Sequence, residues 1–260
     1  MSEAKGERIA KVLARAGICS RREAERWIAD GRVTLNGKVL ATPAVTVSAT
    51  DAIVVDGKPL PAPEVTRLWR YHKPPGMLTS HSDPQGRATI FSALPTAIGR
   101  VISVGRLDLN SEGLLLLTND GELARRLELP TTGWTRRYRV RVHGQVDEAQ
   151  LKTLDKGVTL SGIRYGPVQA QLDKVQGSNA WLTISLREGK NREVRKIMEH
   201  LGLSVTRLIR TAYGPFQLGK LERGDVAEVP AKILRDQLGV GGGFDLRAAQ
   251  GGVRRKEKRL

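Results

Sequence analysis

The sequence predicts an α+β protein: a small helical and β-hairpin module, followed by a larger domain with a mainly antiparallel or mixed β-sheet flanked by helices. Three observations carry this reading. Beyond residue 66 strand-like segments outnumber helical ones, without the strand–helix–strand rhythm of a parallel sheet. Two of those segments, "RRYRVRVHG" and "AWLTISLREG", alternate apolar and polar residues, the pattern of strands with one buried face. The stretch "PLPAPEVT" is Pro-rich, poor in bulky apolar groups and reads as a linker.

Taken in order, Ile9, Val12, Leu13 and Ala16 follow helical spacing and give one apolar stripe, closed by Gly17. Ser20 with Glu23 forms a capping box for a second helix through Ala24, Trp27 and Ile28, closed by Gly31. "VTLNGKVL" is a hairpin signal, because Asn36-Gly37 accepts the positive φ angles of a type I′ turn, and a similar pair surrounds Asp56-Gly57. In the larger domain Leu114–Leu117 read as a strand buried on both faces. Asn119 with Glu122 is expected to cap a short helix carrying Leu123 and Leu127. Val194, Ile197, Met198 and Leu201 mark another helix, stopped by Gly202. The expected boundaries are 7–60 for the small module, 61–66 for the linker and 67–232 for the larger domain. Residues 236–260, Gly-rich and then basic, are expected to be a disordered tail.

The charge is lopsided: 43 Lys and Arg stand against 27 Asp and Glu, a net +16 over 260 residues. Such an excess points first to a polyanionic partner, with nucleic acid foremost. Clustering supports this, since Arg8, Lys11 and Arg15 share one helical face and Arg21, Arg22 and Arg26 open the next helix. The plain alternative is a solvated basic face. No window approaches the 18 or so uninterrupted apolar residues of a membrane span, and the N-terminus lacks a signal-peptide core, so a cytoplasmic protein is expected. A single cysteine, Cys19, forms no internal disulfide and fits a reducing compartment. With the dispersed His72, His81, His143 and His200 it makes no metal-site spacing. The loops that hold nucleotides, dinucleotides or an activated serine are missing too. Ordinary side chains are therefore expected to do any chemistry, without cofactor or metal.

One acid stands out. "GRLDLNSEGLLLLTND" sets Asp108 between a Gly-Arg turn and an apolar strand, in a segment flanked by Gly105 and Gly113. A carboxylate shielded there costs several kcal/mol unless a cation accompanies it. It is also compatible with an ordinary loop aspartate capping a turn with Asn110.

Resemblance to known families adds to this reading. "ERIAKVLARAGICSRREAERWIADGRVTLNGKVL" resembles the small RNA-binding domain named after ribosomal protein S4. That resemblance implies RNA contacts by Arg8, Lys11, Arg15, Ser20, Arg21, Arg22, Asn36 and Lys38. "GRLDLNSEGLLLLTNDGELARRL" resembles the signature of the pseudouridine synthases, in the branch typified by RsuA and RluB. "YHKPPGMLTSHSDPQGRATIFSALP", "RRYRVRVHG" and "LREGKNREVRKIMEHLGLSVTRLIRTAYGPF" resemble its other motifs, in the same order. The match implies that Asp108 is the essential carboxylate, that Tyr138 packs against the target base, and that Arg195 pairs with the aspartate. More loosely, it implies that Arg106 inserts into the RNA. "SDPQGR", "GKNREVRKIME" and the basic tail are more like the large-subunit rRNA enzymes of RluB type. The resemblance thus implies a monomeric rRNA isomerase that uses no cofactor. A non-catalytic RNA-binding or ribosome-assembly protein on the same scaffold is the alternative. DNA binding is disfavoured, because no recognition-helix arrangement with dimer signals is present.

Overall fold

A computed structural model describes residues 6–238. The N-terminal module begins with β1 (Glu7–Arg8), α1 (Ile9–Arg15) and α2 (Arg21–Ala29). β2 (Val33–Leu35), β3 (Lys38–Val39), β4 (Thr46–Val47), β5 (Ile53–Val55) and β6 (Lys58–Pro59) follow. The capping box forms: Ser20 Oγ accepts the Glu23 N–H at 3.1 Å, and the Glu23 carboxylate accepts the Ser20 N–H at 3.3 Å. Asn36 (φ 50°) and Gly37 (φ 79°) make the turn between β2 and β3, and Asp56 and Gly57 repeat it between β5 and β6. Ile9, Leu13, Ala24, Ile28, Val33 and Val47 close a small core under a four-stranded sheet of order β3-β2-β5-β6. Arg8 departs from expectation. It lies in β1, paired with Thr46, so the basic face of α1 carries only Lys11 and Arg15.

Residues 60–67 have no regular structure, although Thr66 is buried and donates to Asp120 at 2.7 Å. The larger domain then runs β7 (Leu68–Lys73), β8 (Ile102–Val104), β9 (Glu112–Thr118), α3 (Gly121–Glu128) and β10 (Arg136–His143). Next come α4 (Glu148–Thr153), β11 (Val158–Leu160), β12 (Ile163–Tyr165), β13 (Val168–Gln176) and β14 (Asn179–Leu186). α5 (Glu193–His200), β15 (Ser204–Tyr213), β16 (Phe216–Gln217), β17 (Val226–Glu228) and α6 (Ala231–Leu238) complete it. A nine-stranded mixed sheet of order β13-β14-β10-β15-β9-β7-β17 organises the domain, with β8 beside β9 and β16 beside β15. Every pair is antiparallel except β15 with β9, so the α+β expectation holds.

β9 is buried along its whole length. Leu115 and Leu117 join Trp69, Tyr71 and the α4 and α5 residues on one face, while Leu114 and Leu116 meet α3 and α6 on the other. That explains four leucines in a row: with both faces covered, alternation disappears. Two expectations need correction. The cap of α3 is Asp120, whose Oδ1 accepts the N–H groups of Glu122 and Leu123. Asn119 instead accepts from Arg67 N–H and donates to Val65 O, fastening the linker. The last helix runs to Leu238, with Leu234 and Leu238 buried, so residues 236–238 belong to it rather than to a tail. Residues 239–260, the rest of the expected tail, lie outside the described residues.

Candidate active site

The sheet forks at β9. On one edge β7 accompanies it from Gly113 to Thr118, whereas the other edge is shared. β15 pairs only with Glu112 and Gly113, and β8 only with Leu116 to Thr118. The fork depends on Gly113. At φ 106° its missing Cβ would sit 2.3 Å from Arg210 O, so any side chain here would drive β15 away. Beside the fork lies a cavity of about 930 Å³, bordered by the 105–109 loop, the ends of β10, β14 and β15, and the turn before α5.

Asp108 is at the cavity, partly buried, on a loop fastened at successive carbonyls. Leu107 O accepts from Thr79 Oγ1 at 3.0 Å, and Asp108 O accepts the Ser111 N–H at 3.0 Å. Leu109 O accepts the Gly76 N–H at 2.8 Å, and Asn110 O accepts from Arg195 Nη2 at 3.3 Å. Lys73 Nζ, fully buried, donates to Pro74 O (3.0 Å), Leu109 O (3.3 Å) and Ser111 O (2.9 Å). Burial pulls the Lys73 ammonium down to about 8, against the opposing pull of Asp108 and Glu112. No described group bonds the Asp108 carboxylate itself. A rigid backbone thus presents an unengaged acid to the cavity.

Tyr138, 9% exposed, forms part of the cavity wall as its inward parity on β10 suggested. It pairs across the sheet with Arg210, and Arg136 pairs with Tyr213, around a register shift between Arg137 and Tyr138. Arg136 and Arg210 both lie over the Tyr213 ring, 4.7 and 5.1 Å from its centroid. Arg136 also donates to Trp134 O, Arg187 O and Tyr213 Oη. Glu193, at the head of α5, accepts the Lys190 N–H through Oε2 but leaves Oε1 without a partner; burial pushes this carboxyl up. Around the rim Arg106, Arg187, Lys190 and Arg192 are exposed.

Arg195 differs from expectation. It makes no ion pair with Asp108. Its guanidinium instead ties Asn110 O to Val205 O (3.2 Å), bracing the loop against β15 while staying within the aspartate's electrostatic reach. Arg106 stands at the rim. The eight residues expected to bind RNA lie in the N-terminal module, away from the cavity lining, and half of them have other tasks. Arg15 pairs with Glu7 at 2.9 Å, and Lys11 pairs with both Glu7 and Glu122 of α3, bridging the two modules. Ser20 caps α2, and the Asn36 side chain is held between Asp51 and the Ala52 N–H. Arg8, Arg21, Arg22 and Lys38 are exposed. The sequence reading missed Lys73, Arg136 and Arg210, although each has the inward parity of its strand: Lys73 with Trp69 and Tyr71, Arg136 with Tyr138, Arg210 with Leu208. No group of three or more His, Cys, Asp or Glu that could hold a metal exists among the described residues, and no described helix is long and apolar enough to cross a membrane.

Residues 67–200 match the family of RNA pseudouridylate synthases. The chain belongs to that family. Residues 7–53 match the S4 domain, in agreement with the N-terminal resemblance. A protein of Rickettsia bellii named an uncharacterized RNA pseudouridine synthase is 47% identical over 229 residues, 88% of this chain and 99% of that one. The ribosomal large subunit pseudouridine synthase B of Haemophilus influenzae is 44% identical over 248 residues, 92% of this chain and 70% of that one. A solved pseudouridylate synthase superimposes with a TM-score of 0.62 at 26% identity, covering 89% of this chain and 99% of its own. In this pseudouridine synthase the Gly-Arg-Leu-Asp segment is the strapped loop, and "RRYRVRVHG" is the strand that brings Arg136 and Tyr138 to the same cavity.

Proposed function

We propose that this pseudouridine synthase isomerises one uridine of large-subunit ribosomal RNA, with Asp108 as the essential carboxylate. The observation that carries the reading is the carboxylate itself: unengaged, on a loop fixed at five successive carbonyls, opening on a cavity walled by Tyr138. The isomerisation breaks the N1–C1′ bond, turns the uracil and joins C5 to C1′. C5 gives up one proton and N1 gains one, so nothing is consumed and no cofactor is called for. Three routes are open to an ionised Asp108: attack at C1′, addition at C6, or removal of the C2′ proton.

The target base is out of reach inside a helix, so it flips into the cavity and rests against the Tyr138 ring. The rim cations Arg106, Arg187, Lys190 and Arg192 suit the phosphates of the strand around it. Arg195 acts on the aspartate through the backbone, by holding Asn110, rather than by pairing with it. The exposed Arg8, Arg21, Arg22 and Lys38 suit a neighbouring stem-loop. The large-subunit substrate is supported by the name of the Haemophilus relative and by the sequence features of that type. The working form in this reading is a monomer acting on rRNA in the cytoplasm.

Site-resolved pseudouridine mapping of rRNA from cells with the intact gene, a deletion and an Asp108→Ala copy tests the proposal. Loss of the mark at one large-subunit uridine in both altered strains is expected. A mark that survives the deletion at every site would make the chain an RNA binder on this scaffold.

A further inference from the structure

Three cations point into the interior beside the cleft, and two of them have clear tasks. Lys73 fastens the Asp108 loop, and Arg136 holds Trp134 O, Arg187 O and the Tyr213 hydroxyl. Arg210 is different. It is 4% exposed, its Nε donates to Leu114 O at 2.7 Å, and its Nη2 is buried without an acceptor. Among the described residues no carboxylate forms an ion pair with it. A buried guanidinium without counter-charge is costly to keep, so something absent from the free protein is expected to meet it.

Its position says what. Arg210 borders the cavity and lies directly across the sheet from Tyr138, and the Tyr213 ring fixes the guanidinium from one side. Phosphates stay at the mouth of such a pocket, where Arg106, Arg187, Lys190 and Arg192 are exposed. A base inserted against Tyr138 reaches deeper. When the N1–C1′ bond breaks, its electron pair leaves with the uracil, and the negative charge spreads to O2 and O4. The charge disappears when C5 joins C1′, C5 loses its proton and N1 takes one up.

We propose that Arg210 is a further substrate-contact residue, whose guanidinium donates to a carbonyl oxygen of the flipped uracil and stabilises the charge that forms as the base departs. The proposal rests on the reading of this cavity as the uridine site. It accounts for a buried cation whose Nη2 has no acceptor and with which no described carboxylate pairs in the free enzyme.

The test uses the full-length enzyme and synthetic large-subunit rRNA stem-loops carrying the mapped uridine. That position holds uridine, 2-thiouridine or 4-thiouridine, and a fourth RNA has methylphosphonates flanking the uridine. Sulfur accepts hydrogen bonds poorly, so the wild type is expected to slow about tenfold on one of the two thiouridines. Arg210→Gln is expected to lose about 100-fold in single-turnover rate on the uridine RNA, the scale of one lost oxyanion donor, with its RNA affinity kept. It should then show no further loss on that thiouridine. Arg210→Lys, which keeps charge and stem, should recover part of the rate, and it decides the matter if the glutamine variant does not fold. Equal thio effects in wild type and variants would overturn the proposal, as would a loss coupled to the methylphosphonates instead. A wild type that converts no uridine would instead bring down the uridine-site reading, a different result from a wild type that turns over normally while Arg210 proves uncoupled.

Discussion

In the N-terminal module the cations lie at the surface, and several are already answered within the chain: Lys11 and Arg15 share Glu7, and Lys11 reaches on to Glu122. Beside the cleft Lys73, Arg136 and Arg210 are each less than a tenth exposed, and none forms an ion pair with a carboxylate among the described residues. The contrast separates two uses of positive charge. At the surface a cation adds affinity that salt screens, and its exact placement matters little. In the interior the same cation is retained only where it fixes a carbonyl, a ring or a ligand, because solvent no longer compensates it. Glu112 marks the border: burial would raise it, but Arg207 and Arg223 beside it hold it below its ordinary value.

Substitutions that bring side chains into the cleft should do the most damage. Gly113→Ala places a methyl group against the Arg210 backbone at a φ of 106°, and is expected to cost about 3 kcal/mol or more in thermal unfolding. A variant as stable as the wild type would break the claim that this close approach builds the fork. Lys73→Met should come next, at about 1–3 kcal/mol with a matching loss of turnover, because two loop carbonyls lose their charged donor.

Its titration sharpens the point. The folded pKa, about 8, lies below the ordinary lysine value, so between those two the unfolded chain holds more protons at this site. Lys73's contribution to stability therefore grows as pH rises through that window, while turnover falls as the neutral amine loses one of its three donors. Parallel unfolding and rate measurements from pH 7 to 10 would check the opposed trends.

Smaller effects are expected in the N-terminal module. Arg21→Gln with Arg22→Gln should weaken RNA binding about tenfold at 0.1 M salt and reduce the salt slope by about two, if both meet phosphates. The same change at Lys11 and Arg15 should do less to the slope, since Glu7 already neutralises part of their charge. Equal slopes would erase the distinction between the two groups. Ser20→Ala should cost about 1 kcal/mol by removing the α2 cap, and leave the salt slope alone.

What the sequence revealed was local. The capping box, the two Asn/Asp-Gly turns and the doubly buried leucine strand were legible because each is set within about eight residues. The α3 cap was assigned one residue early: Asn119 and Asp120 are both capable, and the choice depends on Val65, Thr66 and Arg67, more than fifty positions back. Arg195 lies within electrostatic reach of Asp108, but its bond, to a carbonyl 85 residues away, was not legible. Lys73, Arg136 and Arg210 passed as ordinary basic residues, yet strand parity turned each of them inward. Charges that break an otherwise apolar alternation were the unused signal.

The parallel pairing of β15 on β9 has a consequence for synthesis. Arg210 and Leu114, whose bond closes the fork, are 96 residues apart, so the cleft is among the last features a growing chain can complete. A nascent chain that stops short of β15 already holds the Asp108 loop segment and its Lys73 strap, but lacks the Arg210 side of the cavity. Maturation of this enzyme is therefore expected to be all-or-nothing at β15, with no partly formed site released to act on RNA.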